Sequence, residues 1–249
     1  MPTATAILSA LLEEQHGLRE QLDGTEHVRH AGRDFHTGRW HGRPVVLALS
    51  RIGKVAAATT ATALIERFGV QRIVFTGVAG GLRPDVQVGD TVIATEFLQH
   101  DMNALPLFPR HEVPLYGLSR FAANAELVGL LSMAASAVSS GLFDGATRAR
   151  FKLDGMRTHK GLLISGDRFV SAAQEAMTLQ RDLPDALAVD MEGAAVAQVC
   201  YDYGIPFAAV RNISDRADDA AHVDFPAYLS QVAGKQARAL ISALLPLLD

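Results

Sequence analysis

The chain alternates short apolar runs with segments in which apolar residues recur at helical spacing. The first run is Ala4–Leu8, and the clearest helical segment is Lys54–Phe68, which Gly69 follows as a typical end signal. Further strands are predicted at Arg72–Thr76, Thr91–Phe97, Gly161–Ser165, Ala186–Val189 and Phe207–Ile213. These runs lack a strict apolar–polar alternation, which indicates a sheet covered by helices on both faces. The predicted fold is α/β, with a central mixed, mostly parallel twisted sheet flanked by helices.

Other elements follow from the same spacing rules. They are a helix from about Glu13 to Leu22, strands at His36–His41 and Val45–Ser50, and helices at Asn124–Ser136, Ala172–Gln180, Gly193–Tyr203 and Tyr228–Leu248. Two stretches do not fit the alternation. His100–Gly117 holds three prolines and several apolar side chains, which is typical of a functional loop. Gly141–Lys160 is charged and weakly patterned, which favours a mobile surface segment. Nothing resembles a linker, so residues 1–249 are predicted to form one domain.

Composition excludes several classes of protein. The chain has 249 residues and a net charge of −4, which argues against a nucleic-acid-binding surface. Its single cysteine, Cys200, excludes a disulfide framework and a metal site built from several cysteines. No run reaches the ~18–20 apolar residues of a membrane span. The apolar N-terminal run also lacks the basic start of a secretory signal, so we expect a cytoplasmic protein.

Carboxylates follow three of the predicted strands. Glu13 and Glu14 close the first run, Asp190 and Glu192 follow Ala186–Val189, and Asp215 follows the last strand. Ligands of α/β sheets bind beyond the carboxyl ends of the strands, where grouped carboxylates acquire perturbed pKa values suited to acid–base catalysis. The alternative is that each acid simply stabilises the first turn of a helix.

The segment Thr76–Gly81 is rich in glycine but matches neither the dinucleotide-binding spacing nor the phosphate-binding P-loop. Because glycine has no Cβ, its backbone could approach a ligand closely. The alternative is a tight turn between the strand and the following loop.

Seven motifs in order along the chain resemble those of one family. They are Leu12–Glu14, Ser50–Ala57, Thr76–Leu82, Val88–Asp90, Ser165–Phe169, Val189–Glu192 and Ile213–Asp215. Together they resemble the 5′-methylthioadenosine/S-adenosylhomocysteine nucleosidases, within the nucleoside phosphorylase superfamily. The resemblance runs from about residue 4 to residue 245.

The resemblance implies three catalytic residues. Glu14 matches the glutamate that activates the attacking water, and Asp215 matches the aspartate that protonates N7 of the departing adenine. Ser214 positions Asp215, and Glu192 binds the ribose hydroxyls. These residue types suit the reaction, because a protonated acid helps the base to leave and carboxylates stabilise the positive charge that develops on the sugar.

The resemblance also implies the residues that bind substrate. Met191 packs against the sugar, Phe169 stacks on the purine, the backbone of Val170 reads the purine edge, and Ile52 lines the alkylthio pocket. The remaining implied contacts are Val78, Ala79, Gly80 and Leu107. Leu107 lies in the His100–Gly117 loop, which in this family reaches across a dimer interface, so a homodimer is predicted.

The predicted function is hydrolysis of the N-glycosidic bond of 5′-methylthioadenosine or S-adenosylhomocysteine, with no metal or cofactor. The partners are then a small nucleoside substrate and a second copy of the chain. Three alternatives stay open: a purine nucleoside phosphorylase, a futalosine hydrolase-like enzyme, and a nucleoside-binding protein without activity. Water is favoured over phosphate because the segment Thr76–Leu82 lacks the arginine that related phosphorylases carry there. Arg51, next to Ile52, is the one nearby residue that could supply a positive charge.

Overall fold

The computed structural model describes residues 4–218 and 221–248, and it confirms the predicted mixed sheet with flanking helices. The strands are β1 (Thr5–Ser9), β2 (Asp23–His30), β3 (Arg33–Trp40), β4 (Arg43–Leu49), β5 (Arg72–Gly81), β6 (Thr91–Gln99), β7 (Phe121–Ala122), β8 (Thr158–Ser165), β9 (Ala186–Asp190) and β10 (Phe207–Asp215). The helices are α1 (Lys54–Phe68), α2 (Ala125–Ser136), α3 (Gly145–Phe151), α4 (Ala173–Asp182), α5 (Gly193–Tyr203), α6 (Ala221–Tyr228) and α7 (Gly234–Leu244).

Part of the sheet closes into a barrel. Strand β10 pairs with β5 in parallel and with β6 in antiparallel fashion, and the path then runs through β8 and β9 back to β5. Strands β1, β4, β3 and β2 extend the sheet from β5 on the other side, with β2 at its edge. The closure brings the ends of strands that are distant in sequence to one place, and this is where the candidate site lies.

Two helical layers bury the faces of the sheet. On one face, Ala61 and Leu64 of α1 and Val196 of α5 belong to a buried cluster with the strands. On the other face, Leu131 of α2 and Leu244 of α7 lie in a second buried cluster with β1, β4 and β5. Covering on both faces explains why the strands are apolar without alternation. Within the described residues, no helix is long and apolar enough to cross a membrane.

The predicted helix from Glu13 to Leu22 is wrong. Residues 12–18 form turns, and a short 3₁₀-helix follows at Arg19–Gln21. Backbone bonds span three residues, as from the His16 N–H to the Glu13 carbonyl. Gly17 adopts φ +80°, which a right-handed helix does not allow. The segment therefore forms a series of tight turns instead of an α-helix.

The glycine-rich segment is part of a strand, so its interpretation as a tight turn is wrong. Gly77 pairs with Arg211 of β10, and Gly80 pairs with Val189 of β9. Strand β10 pairs along one side of the segment, and on the other side β9 pairs with Gly80 and Gly81 while the Val78 N–H donates to the Glu14 side chain. The ladder therefore outweighs the weak intrinsic strand preference of glycine.

Two further predictions also need correction. The Gly141–Lys160 stretch is not a loose surface segment, since Phe143, Phe151 and Leu153 are buried in one cluster with Tyr228. The predicted helix Tyr228–Leu248 is divided into the π-helical turn Leu229–Ala233, α7 and the 3₁₀-helix Leu245–Leu247. Such π-helical turns interrupt α-helices frequently at functional sites.

Candidate active site

A cavity of about 460 Å³ lies where the ends of β1, β5, β9 and β10 meet. Every predicted site residue except Leu107 lines it. The lining residues are Ala10, Leu11, Glu14, Ile52, Val78, Ala79, Gly80, Arg168, Phe169, Val170, Val189, Asp190, Met191, Glu192, Ser214, Asp215 and Phe225. The structure thus brings together residues from both ends of the chain, while their individual roles stay predictions.

The Glu14 carboxylate is held by three backbone N–H groups. Oε2 accepts from Ala10 at 2.7 Å and from Leu11 at 2.9 Å, and Oε1 accepts from Val78 at 2.9 Å. Burial raises the pKa of Glu14, whereas Arg211 and the three N–H groups lower it. A buried, oriented carboxyl with a raised pKa is suited to accept a proton near neutral pH.

Gly77 makes room for this carboxylate. A Cβ atom built on Gly77 would lie 2.7 Å from Oε1 of Glu14, closer than real Cβ contacts. Any other residue here would force the carboxylate to move. The glycine-rich segment therefore lets the backbone approach the Glu14 carboxylate closely, and the Val78 N–H is already engaged by Glu14.

Glu192 is a second buried carboxylate, at the start of α5. Its Oε1 accepts the N–H of Gly53 at 2.9 Å. Burial raises the pKa of Glu192 to about 8, and the negative charge of Asp190 acts in the same direction, while the Gly53 N–H and Arg211 lower it. Glu192 is thus an acidic group whose ionisation depends closely on its neighbours.

Asp190 and Arg211 form a buried ion pair beside these carboxylates. Arg211 Nε donates to Asp190 Oδ2 at 2.9 Å, and its Nη1 donates to the Phe75 carbonyl at 3.2 Å. Ser165 Oγ donates to the other oxygen of Asp190. Sequence reasoning missed Arg211, although an arginine within an apolar strand is itself a signal of a buried charge partner.

Asp215 ends β10 and also lies in the cavity wall. Ser214 Oγ donates to its Oδ2 at 2.8 Å, and the Ala217 N–H donates to its Oδ1 at 2.8 Å. A Cβ on Gly80 would lie 3.1 Å from that Oδ1, so glycine again permits the close approach. These contacts fix the carboxyl in one orientation.

The mouth of the cavity is apolar and partly open. Ile52 is 54% exposed and Phe169 is 44% exposed. Phe169 meets Phe225 edge to face, with ring centroids 5.3 Å apart. Sequence reasoning missed Phe225, because a lone aromatic residue within an irregular helical segment carries no distinguishing pattern. An aromatic pair at a cavity mouth, with one ring exposed, is suited to cover a flat or apolar ligand.

Leu107 does not reach this cavity. Its side chain is 82% exposed. In the same His100–Gly117 loop, Leu105 is 59% exposed and Leu115 is 90% exposed. The loop is made of turns, with one isolated bridge between Val113 and Leu118. Within one chain, Leu107 is therefore not part of the cavity wall.

Arg51 also points away from the cavity. It adopts φ +64°, and its guanidinium donates to the Gly32 carbonyl in the turn between β2 and β3. Among the residues described, Arg168 is the one cationic side chain that lines the cavity. Residues 4–218 and 221–248 contain no group of three or more His, Cys, Asp or Glu side chains placed to hold a metal ion.

Comparison with known proteins agrees with this architecture. The family model of the Phosphorylase superfamily matches residues 4–246. The 5′-methylthioadenosine/S-adenosylhomocysteine nucleosidase of Geobacillus thermodenitrificans is 36% identical over 241 residues, which cover 96% of this chain and 95% of that protein.

Solved structures lead to the same family. The nucleosidase of that name from Neisseria meningitidis, in complex with methylthio-immucillin-A, gives a TM-score of 0.87 at 32% identity, covering 99% of this chain and 100% of that chain. The structure of futalosine hydrolase of Helicobacter pylori gives a TM-score of 0.83 at 32% identity, with 97% of each chain covered. The chain therefore belongs to the Phosphorylase superfamily and, within it, to the 5′-methylthioadenosine/S-adenosylhomocysteine nucleosidases.

Proposed function

We propose that this protein hydrolyses the N-glycosidic bond of 5′-methylthioadenosine or S-adenosylhomocysteine and releases adenine. The observation that carries the proposal is the arrangement of Glu14, Glu192 and Asp215 around one cavity whose mouth is apolar. The cavity matches the size of small-molecule sites, and an apolar mouth suits a thioether substituent. The names of the most similar relatives support the same reaction.

Asp215 is the proposed acid. A carboxyl that is held by the Ser214 hydroxyl and the Ala217 N–H can deliver a proton to N7 of the purine as the bond to the sugar breaks. Phe169 and the Val170 backbone hold the purine in this interpretation. The proton on the purine ring removes the negative charge that would otherwise develop on the leaving base.

Glu14 is the proposed base for the attacking water. Its three N–H contacts orient the carboxylate, and its raised pKa favours proton uptake. Glu192 in its ionised form accepts hydrogen bonds from the ribose hydroxyls. These bonds strengthen as the sugar gains positive charge in the transition state, which lowers the barrier.

Water is the proposed acceptor in place of phosphate. A phosphate dianion needs converging cations or free backbone N–H groups. The Val78 N–H is occupied by Glu14, and Arg51 is bonded to Gly32 outside the cavity. Arg168 does line the cavity, but its side chain is 75% exposed and pairs with Glu175, so it is a single solvated charge without a converging cation. The Glu14 carboxylate would also repel a dianion at the position of the nucleophile.

The exposed leucines of the His100–Gly117 loop support a homodimer. Three exposed leucines on one loop make an apolar surface that soluble monomers seldom leave uncovered. In the proposed dimer, the loop of one chain, with Leu107, covers the cavity mouth of the other chain. A cytoplasmic location is part of the same proposal.

The test is a panel of nucleosides offered with and without phosphate. Methylthioadenosine, S-adenosylhomocysteine, 5′-deoxyadenosine, futalosine and inosine are each incubated with the protein, and release of the base is measured. We expect adenine and free 5-methylthioribose at a rate that phosphate leaves unchanged. A rate that requires phosphate and yields 5-methylthioribose 1-phosphate would identify a phosphorylase. A preference for futalosine would support the second candidate, which the similarity to futalosine hydrolase favours.

A further inference from the structure

Asp167 connects two segments at the mouth of the cavity. One segment, residues 51–54, leads into α1 and carries Ile52; the other, residues 166–169, follows β8 and carries Phe169. Asp167 Oδ1 accepts the backbone N–H of Lys54 at 2.8 Å. Gly53 precedes α1 and has no side chain to cap it. Asp167 therefore caps α1 from another part of the chain, with its negative charge at the positive end of the helix.

Two further contacts close this connection into a ring. Lys54 Nζ lies 2.6 Å from Asp101 Oδ1 and donates to Gln99 Oε1 at 3.1 Å. Asp101 Oδ2 accepts the N–H of Asp167 at 2.9 Å. The Lys54–Asp101–Asp167 ring thus joins the start of α1, the residues after β6 and the residues after β8. Each member bonds to both others, which fixes the three segments relative to one another.

The ring lies directly next to a proposed catalytic contact. The residue before Lys54 is Gly53, whose N–H donates to Glu192 Oε1 at 2.9 Å. Gly53 adopts φ +96°, and a Cβ built on it would lie 3.2 Å from Asp167 Oδ1. The Gly53 backbone therefore fits closely between Asp167 and Glu192. A shift of Asp167 would move the Gly53 N–H away from Glu192.

We propose that Asp167 is a positioning residue, which holds the Gly53 N–H on Glu192 and sets Phe169 across the cavity mouth. Asp167 itself does not line the cavity. It acts on Glu192 through the backbone of residues 53 and 54. Because Phe169 follows two residues later, fixing Asp167 also fixes the backbone that carries Phe169. The inference rests on the proposed role of Glu192 in holding the ribose.

A purely structural role of the Lys54–Asp101–Asp167 ring would have different consequences. The Lys54 and Asp101 side chains are 16% and 29% exposed, and partly solvated ion pairs typically contribute little to stability. If the ring only stabilised the fold, its loss would lower Tm and leave the kinetic constants of the folded enzyme unchanged. If it positions Glu192, the ionisation of Glu192 has to change as well.

The pH dependence of the reaction reports that change. Glu192 faces Asp190 at the end of β9, Glu14 after β1 and Arg211 of β10, in addition to the Gly53 N–H. Of these groups, Asp190 and Glu14 raise the pKa of Glu192, while the Gly53 N–H and Arg211 lower it. Loss of the Gly53 contact therefore raises the pKa further. Since ionised Glu192 is the active form, the acidic limb of the kcat/KM profile moves to higher pH.

The experiment compares Asp167→Ala with Asp167→Asn. Asparagine keeps an oxygen that can accept the Lys54 N–H, whereas alanine removes it. Asp185→Ala is the matched control, because it removes an aspartate that pairs with Arg120 on the surface. For adenine release from methylthioadenosine, we expect Asp167→Ala to lose about 10- to 100-fold in kcat/KM, as for small misplacements of reacting groups. Its acidic limb moves to higher pH, Asp167→Asn is affected less, and the control matches wild type.

Hydrogen exchange separates this proposal from the proposed function. We expect the amides of residues 53 and 54 to exchange faster in Asp167→Ala than in wild type and in Asp167→Asn. Unchanged exchange together with an unchanged pH profile, at a lower Tm, would overturn the positioning role. If wild type releases no base from any nucleoside, the proposed function is wrong, while the exchange rates still decide whether Asp167 holds Gly53.

Discussion

Arg211 and Asp190 form an ion pair whose side chains are only 1% and 2% exposed, with 2.8 Å between Arg211 Nη2 and Asp190 Oδ2. The guanidinium also lies over the ring of Phe75, 4.0 Å from its centroid. Arg211 lowers the pKa of both Glu14 and Glu192, and Asp190 raises the pKa of Glu192. The charge balance of the cavity therefore depends on a contact that substrate does not have to touch.

Removing the Arg211 side chain should lower the free energy of unfolding. Arg211→Met keeps an apolar stem but leaves the Asp190 charge buried without its partner, which typically costs about 3–5 kcal/mol. The free energy of unfolding, measured in urea, gives the effect directly. Arg120→Met breaks an ion pair with Asp185 on the surface and should cost less than about 1 kcal/mol. Equal losses in the two variants would contradict the assignment of a buried charge pair.

Loss of the proposed acid should abolish base release. Asp215→Asn cannot deliver a proton, and general acid catalysis typically contributes about 10²- to 10⁴-fold. We expect kcat for adenine release to fall by that factor while adenine still binds, as measured by calorimetry. Retention of more than about a tenth of the wild-type kcat would place the acid elsewhere.

A single methyl group at Gly77 should damage the site without damaging the fold. The new Cβ in Gly77→Ala would meet the Glu14 carboxylate, which has to move away from the attacking water. We expect kcat to fall about 100-fold, since misplacement of about 1 Å can cost this much. Gly129→Ala is the control, because nothing lies near its Cβ on α2 and alanine favours helices. An active Gly77→Ala variant would refute the close contact.

The stability of the ligand-free Glu192→Gln variant, relative to that of the wild type, should increase as pH rises. Glu192 has a pKa of about 8 in the folded state, above its ordinary value, so the folded protein binds this proton more tightly. The resulting stability is complete below pH 4.5 and is lost as pH rises toward 8. Glutamine does not titrate and escapes this loss. We expect the variant's Tm to exceed that of wild type by an amount that grows between pH 5 and pH 8.

Net charge has to be controlled in that comparison. Glu26→Gln removes a carboxylate from the exposed strand β2 and changes the charge equally. We expect no growth of its Tm difference over the same pH range. A Tm difference for Glu192→Gln that stays constant or shrinks would show that Glu192 is not destabilised by ionisation.

The exposed leucines of the His100–Gly117 loop should control oligomeric state. Light scattering should give about 53 kDa, twice the 26.6 kDa of one chain. Leu107→Glu should shift the protein toward the monomer and lower activity, because a charge would be buried in the interface. Leu142→Glu, at another exposed leucine, should leave the dimer intact. A fully active 27 kDa wild-type particle would contradict the proposal.

Sequence patterns predicted the elements that local interactions determine. The bounds of α1 and α5 were predicted correctly, because Gly69 and Gly204 end these helices in the left-handed conformation at φ +61° and +64°. The carboxylates after β1, β9 and β10 were expected to meet, and they line one cavity. Parallel pairing of β1 and β10 with β5 brings two of these ends together, whereas β9 reaches the cavity through its antiparallel pairing with the end of β5.

Features that depend on distant contacts were not predicted. The glycines of β5 are extended because β9 and β10 pair with them, and nothing near them in sequence indicates those partners. Glu13–Leu22 has helical spacing, yet Gly17 and the hydrogen bonds from Ala10 and Leu11 to Glu14 impose tight turns. Phe225 could be identified as a residue of the cavity only from its contact with Phe169 in the structure.

Barrel closure sets the order in which a newly made chain can become active. Glu14 is synthesised early, but its partner Val78 and the residues Glu192 and Asp215 follow as many as 201 positions later. Contacts between such distant positions form slowly, because a long loop has to close first. Strand β10 is the last strand in the sequence, and it carries both Arg211 and Asp215. A ribosome-bound chain that lacks β10 therefore lacks both the buried partner of Asp190 and the proposed acid.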